Sequence, residues 1–242
     1  MSGKRIWELD ALRGLCVLGM ILLHFLYDLT ALWMLVPPDY PAWVTFLMNR
    51  GGILFLLISG ISATFSCRSR KRGAQVFACG MLCTAATLAL FLAGFPKSIL
   101  IYFGTLHCLG LCMMLWPTLE KLSALRLSIL ALLPILLGQW LKSRSFSFPW
   151  LLPLGFVPRG FATSDYFPLF PNLGFFLLGA ALGKILYPGK LSLLPQFPTK
   201  NRPIRLLTFC GRHALPLYLL HQPVLLVFLE TLYFLGEKIY GS

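Results

Sequence analysis

Seven apolar runs, most of them about 20 residues long, constrain this chain more than any other feature of its sequence. They cover residues 14–36, 44–66, 74–94, 99–118, 127–141, 168–187 and 206–235. A helix of about 20 apolar residues crosses the hydrocarbon core of a bilayer with every backbone group satisfied internally. The runs therefore predict an all-α, polytopic bundle of about seven transmembrane helices, which forms one domain over residues 1–242.

The charge pattern agrees with a membrane protein and predicts its orientation. Hydrophobic residues make up 57% of the chain and only 12% are charged, with a mean hydropathy of +0.77. The net charge of +13 comes from short basic clusters between the apolar runs, which is typical of loops that face anionic lipids and speaks against a nucleic-acid partner. Fifteen of the 21 lysines and arginines fall on the side of the N-terminus, which the positive-inside rule assigns to the cytoplasm.

Two ionisable residues, His24 and Asp28, lie one helical turn apart within the first run, on one face of the predicted helix. Burying an ionisable group in hydrocarbon costs about 2.5–3.5 kcal/mol on insertion scales, so such a pair indicates a functional site. A carboxylate that accepts a hydrogen bond from one imidazole nitrogen leaves the other nitrogen as a base, which predicts a proton-abstracting site. The structural alternative is a histidine whose hydrogen bonds are satisfied by a neighbouring helix.

Arg50, near the start of the second run, requires an anionic partner. Asp28 and a phosphate-bearing ligand both meet that requirement, and the sequence leaves the two open. The later runs add further polar residues, namely His107, Asp165, Arg212, Tyr218 and His221. Asp165 stands just before the sixth run, where helix capping is its structural alternative.

Four cysteines occur as two pairs spaced i, i+4, and together with His107 they suggest a possible metal ligand set. The pairs are Cys79 with Cys83 and Cys108 with Cys112. A cysteine in an apolar helix usually packs as a small apolar residue, and the sequence contains no C-x-x-C motif. We therefore predict no metal.

Five segments in a fixed order resemble a known protein family. They are residues 8–14 with His24 after them, 55–60, 102–110, 165–168 and 211–223. Together they resemble the small bacterial members of the heparan-alpha-glucosaminide N-acetyltransferase catalytic-domain family over almost the whole chain. Arg13-Gly14, His24, Ser59-Gly60 and residues 218–221 also resemble, more distantly, the membrane acyltransferase-3 superfamily, whose members acylate sugars.

The resemblance implies an acetyl-CoA-dependent acyltransferase in a bacterial cytoplasmic membrane. Acetyl-CoA is the donor substrate, and the acceptor is an amine or hydroxyl of a sugar or glycan. His24 matches the intramembrane histidine of these acyltransferases, as general base or acyl carrier. In the mechanism that we favour it is the base, and Asp28 orients it.

The resemblance suggests phosphate-binding roles for two arginines, and the mechanism that we favour predicts roles for the other polar residues. Arg13 and Arg212 would bind the phosphates of the coenzyme, because a guanidinium suits phosphate. Arg50 and His107 would bind the donor or stabilise the developing oxyanion. The residues expected to contact the acceptor are Asp165, Tyr218 and His221.

Two other classes of protein would use the same buried charges. A small-solute transporter or lipid flippase would show inverted repeats, which the sequence lacks, and substrate flux without consumption of acetyl-CoA. A noncatalytic membrane scaffold would leave His24, Asp28 and Arg50 facing separate helices. The partners expected for the acyltransferase are membrane lipids, the acyl donor and the sugar acceptor, and the sequence leaves a homo-oligomer open.

Overall fold

Helices provide the regular structure of the protein in a computed structural model that describes residues 6–32, 39–197 and 201–240. For residues 31–32 and 235–240 it describes the backbone alone. That part of the chain contains no β-strand, only two isolated bridges. The predicted all-α, polytopic fold is confirmed.

Eight α-helices follow one another along the described chain. They are α1 (Trp7–Tyr27), α2 (Ala42–Ala63), α3 (Ser69–Leu92), α4 (Thr105–Leu119), α5 (Ala124–Lys142), α6 (Leu169–Leu186), α7 (Arg202–Arg212) and α8 (Ala214–Tyr240). A π-helical turn, Asp28–Leu32, continues α1, and the loops contain two 3₁₀ turns, Lys97–Ile99 and Leu152–Leu154.

Six of these helices are long and apolar enough to cross a membrane, and α4, with 15 residues, is a shorter apolar helix. The first one starts at Trp7, earlier than the predicted residue 14, while residues 33–36 of that prediction lie outside the described residues. The fourth predicted run, 99–118, is helical only from Thr105, because its first residues form the end of the Lys97–Ile99 turn and an extended segment. The fifth forms a regular helix in spite of Pro134.

The last predicted run, 206–235, is two helices. The helical structure is interrupted at His213, between α7 and α8. Pro216 lies in the first turn of α8, where a missing N–H costs nothing, and Pro223 lies inside α8 without interrupting it. The break was expected from the two prolines, but it falls before both of them.

The chain divides into two compact units. Residues 52–195 form the first, which we call the central unit, and the described parts of 5–51 and 196–242 form the second, which we call the terminal unit. In the central unit α3 packs on α4 and α5 packs on α6. Its core is apolar and includes Trp116, Phe176, Cys108 and Cys112.

In the terminal unit, α1 packs against α7 and α8, and two glycines bring α1 and α7 into backbone contact. A Cβ on Gly14 would overlap the carbonyl oxygen of Leu207, and one on Gly211 would overlap that of Asp10. Small residues permit such an approach between membrane helices. The contact fixes the first turns of α1 beside the last turns of α7.

Gly14→Ala is therefore expected to destabilise the protein, because the new methyl group forces α1 and α7 apart. We expect the free energy of unfolding to fall by about 1–3 kcal/mol, as for other overpacked sites. Gly19→Ala is the matched control, since a Cβ there meets no atom within 4 Å. Thermal unfolding in detergent compares the two, and equal midpoints would contradict the proposed contact.

Candidate active site

Two histidines face each other between α1 and α8 of the terminal unit. The ring centroids of His24 and His221 are 4.9 Å apart, and the ring planes meet at 77°. The ring of Tyr218 lies 5.6 Å from that of His221. The structure thus brings together three of the residues that the sequence singled out.

Each histidine of the pair donates one ring proton to its own helix. Nδ1 of His24 lies 2.9 Å from the carbonyl oxygen of Met20, and Nδ1 of His221 lies 2.5 Å from that of Tyr218. A carbonyl oxygen can only accept, so Nδ1 carries the proton in both rings and Nε2 keeps its lone pair. Nε2 of His221 is buried and has no hydrogen-bond partner among the described residues. The pair therefore presents two basic nitrogens.

Asp28 is 1% exposed, and a side chain of α8 is hydrogen-bonded to its carboxylate. The side-chain amide of Gln222 donates to both of its oxygens, at 3.1 and 3.0 Å. The carbonyl oxygen of that amide is buried and, within the described part of the chain, unpartnered. Asp28 also interacts electrostatically with His24. A carboxylate, two imidazoles and an amide are thus grouped where α1 meets α8.

The expected hydrogen bond from His24 to Asp28 is not the one observed. The imidazole uses the carbonyl of the preceding helical turn, at Met20, and the carboxylate turns toward Gln222. An ion pair between Arg50 and Asp28, one of the two alternatives that the sequence left open, does not occur among the described residues, where the two ion pairs both involve Asp10. Arg50 is exposed on α2. Its role in binding the donor or stabilising the oxyanion stays a prediction.

A second polar cluster lies near the start of α1. Asp10 is buried and pairs with Arg13, Nη1 to Oδ1 at 2.7 Å, and with Arg212, Nε to Oδ2 at 3.4 Å. The Arg212 side chain is 45% exposed. Two guanidiniums on one carboxylate leave a net positive charge, and the glycine contact between α1 and α7 holds them together. The two predicted phosphate-binding arginines therefore share one site.

His107 belongs to the central unit and caps the helix on which it stands. Its Nδ1 accepts from the backbone N–H of Gly104 at 3.2 Å, and its Nε2 lies 3.3 Å from the Thr84 hydroxyl. Because that hydroxyl donates to Ile101, Nε2 of His107 donates to it. The ring is only 2% exposed. Binding a donor through His107 would require one of these bonds to break.

Asp165 also lies in the central unit, and it caps α4 instead of α6. Its Oδ2 accepts from the backbone N–H of Thr105 at 2.9 Å, and its Oδ1 accepts from the Thr105 hydroxyl at 3.2 Å. The next residue, Tyr166, donates its hydroxyl to the carbonyl of Leu152, and burial raises the pKa of this phenol above its ordinary value. The capping alternative thus describes the geometry of Asp165, on a different helix from the one expected.

Asp165→Ala is expected to lower the free energy of unfolding by about 0.5–2 kcal/mol, which is typical for the loss of a helix cap. The N-terminal N–H of α4 would then lose the carboxylate that it donates to. Asp39→Ala offers a control at an acidic residue just before α2. Chemical denaturation of both variants measures the difference; if Asp165→Ala is no less stable than Asp39→Ala, the cap contributes nothing.

Comparison with known proteins gives the family of this chain. The sequence profile described as heparan-alpha-glucosaminide N-acetyltransferase, catalytic, matches residues 5–223. The chain belongs to this family. Neither the comparison with curated proteins nor that with solved structures gives a significant match.

Membership in the heparan-alpha-glucosaminide N-acetyltransferase catalytic family confirms the predicted resemblance and indicates a membrane acyltransferase. The match includes α1 and α7 and ends within α8, just after Gln222, so it contains both polar clusters of the terminal unit. No group of three or more metal-ligating side chains occurs among the residues that the structure describes.

Sequence reasoning missed two residues of these clusters. Gln222 holds Asp28, and the available signal was an amide next to His221 inside an apolar run. Asp10 holds both arginines, and its signal was the i, i+3 spacing to Arg13 in a helix that starts earlier than predicted. Both signals are local, whereas Arg212 lies about 200 residues from Asp10 and Gln222 about 200 residues from Asp28, so only the fold identifies these two contacts.

Proposed function

We propose that the protein transfers the acetyl group of acetyl-CoA to an amine or hydroxyl of a sugar or glycan at the pair of His24 and His221, in a bacterial cytoplasmic membrane. The observation that carries the proposal is the contact of each Nδ1 in this pair with a carbonyl oxygen of its own helix. Both Nδ1 protons are committed to helix carbonyls, so both Nε2 atoms are bases inside a membrane helix pair. Membership in an N-acetyltransferase family supports the reaction type.

His24 is the general base in the proposed step. Its Nε2 takes a proton from the acceptor nitrogen or oxygen, and the freed lone pair forms the bond to the acetyl carbon. The bond between that carbon and the coenzyme sulfur then breaks, and the sulfur takes the proton from the His24 imidazolium, so that coenzyme A leaves as the free thiol and His24 is again a base. His24 suits this role better than His221 because its side chain is exposed, whereas Nε2 of His221 is buried.

In this mechanism Asp28 stabilises the charge of His24 and does not orient its ring. Proton uptake turns His24 into an imidazolium, and a fixed carboxylate nearby stabilises that positive charge. Gln222 keeps the carboxylate in place by donating to both oxygens. Asp28 therefore acts through His24 by stabilising its positive charge, and Gln222 supports it.

The arginine cluster is the proposed site for the phosphates of the donor. Arg13 and Arg212 form a positively charged pair on Asp10, and the exposed guanidinium of Arg212 has donors left for an anion. Arg13 and His24 are 11 positions apart on one continuous helix, or about 16 Å along its axis. A donor held by its phosphates at Arg13 and Arg212 would extend its thioester toward His24.

Product formation by the purified protein tests the proposal. The protein in lipid nanodiscs receives acetyl-labelled acetyl-CoA and glucosamine, and mass spectrometry and a thiol assay follow acetylated sugar and free coenzyme A. We expect the two products in equal amounts. If proteoliposomes instead take up the sugar without releasing coenzyme A, the protein is a transporter and the proposal is wrong.

A further inference from the structure

Helix α7 carries basic and large apolar side chains on the same outward face. Arg202, Arg205, Leu206 and Phe209 follow the spacing i, i+3, i+4, i+7 and are all exposed. Leu206 is 58% exposed and Phe209 is 56% exposed. With 11 residues, α7 is too short to span a bilayer. A helix with this pattern is typical of one that lies in the membrane interface.

The opposite, buried face of α7 determines the depth of this helix in the membrane. Thr208, Cys210 and Gly211 are buried, and Gly211 touches the backbone of Asp10, in the first turn of α1. Because α1 is a membrane-spanning helix that starts at Trp7, this contact holds α7 beside one end of a span. The membrane-spanning α8 begins at Ala214, directly after α7. Both neighbours place α7 at the depth of the lipid headgroups.

The positive charge of the outward face of α7 favours anionic lipid headgroups. The sequence of α7 contains three arginines and no acidic residue. Arg212 is engaged with Asp10, whereas Arg202 and Arg205 lie on the exposed face with the two apolar side chains. Long basic side chains beside buried apolar ones can reach phosphates while their stems stay in the apolar layer.

From these observations we propose that α7 lies in the plane of the cytoplasmic membrane surface and binds anionic phospholipid headgroups through Arg202 and Arg205. Leu206 and Phe209 insert below the headgroups. The helix would then link the lipid surface to Arg212, which it also carries. This inference concerns lipid binding and does not depend on the acyl-transfer proposal.

Photo-crosslinking in nanodiscs tests the lipid specificity of α7. Mixed bilayers contain a diazirine on the acyl chain of either phosphatidylglycerol or phosphatidylcholine, and peptide mapping measures labelling of residues 201–212. We expect more labelling by the phosphatidylglycerol probe in the wild type. Arg202→Gln with Arg205→Gln should reduce this preference by about tenfold or more, given the usual contribution of each basic residue at an anionic surface.

Two controls separate charge from folding in this experiment. Arg202→Lys with Arg205→Lys keeps the charge and should keep the preference. Lys97→Gln with Arg159→Gln removes the same charge from exposed residues of the central unit and should leave labelling of α7 unchanged. Equal labelling by the two probes in the wild type would overturn the proposal. So would labelling by neither probe, or a preference that survives the glutamine substitutions.

Discussion

His24→Ala is expected to lower the rate of acetyl transfer by about 10²–10⁴-fold, the usual contribution of a positioned general base. The substitution removes the exposed Nε2 of the pair and leaves His221 with a buried one. Its effect should fall on kcat more than on KM for acetyl-CoA, because the arginine cluster is unchanged. Steady-state release of coenzyme A in nanodiscs measures both constants.

His213→Ala is the matched control for that loss. His213 also donates Nδ1–H to the carbonyl four residues before it, at Phe209, but it stands at the break between α7 and α8, outside the His24–His221 pair. We expect the His213 variant to keep acetyl transfer within a few-fold of the wild type. A folded His24→Ala variant with full activity would remove His24 from the mechanism.

Gln222→Leu is expected to destabilise the protein by about 2–3 kcal/mol. It removes both hydrogen bonds to a carboxylate that is 1% exposed, and an unsatisfied buried charge costs more than the bonds contributed. The double variant Asp28→Leu with Gln222→Leu should recover most of the lost stability, because replacing both partners by apolar groups leaves no orphaned charge. It should remain impaired in acetyl transfer.

Unfolding of the single and double variants in detergent tests this coupling. Gln139→Leu is the control, an exposed glutamine on another membrane helix, α5, which should change stability little. If the losses from Asp28→Leu and Gln222→Leu simply add in the double variant, the two side chains are not energetically coupled. The observed contact would then have no role in stability.

The fold class could be predicted from the sequence because apolar length alone determines it. A run of about 20 apolar residues has one favourable arrangement in a bilayer, so each of the six long helices and the shorter α4 overlaps one of the predicted runs. The start of α1 was less predictable, since its first turn contains two charged residues, Glu8 and Asp10, that the fold buries. The division at His213 falls before both prolines, so the local sequence pattern did not locate it.

The candidate site was predictable in its residue types and not in its contacts. His24, Asp28 and His221 stood out because ionisable groups in apolar runs are costly. Their partners were not predictable, because an imidazole in a helix can bond either to a carbonyl of its own preceding turn or to a side chain elsewhere. His24 takes the carbonyl of Met20, which leaves Asp28 for Gln222.

The same criterion also singled out two residues of the central unit, whose roles in binding donor and acceptor stay predictions. His107 and Asp165 stood out by the same criterion of polarity in apolar sequence. Both side chains satisfy backbone groups at the start of α4, where a helix begins with N–H groups that need acceptors.

Affinity labelling with bromoacetyl-CoA tests most directly whether the acetyl group is transferred at His24. The reagent places an electrophilic carbon where the acetyl carbon of the donor lies, and a nucleophile within reach displaces bromide and stays covalently attached. We predict one adduct on His24, found by peptide mass spectrometry, that excess acetyl-CoA prevents and that inactivates the protein in proportion to labelling. Inactivation with acetyl-CoA-protected labelling at another residue, and none on His24, would contradict the proposed site.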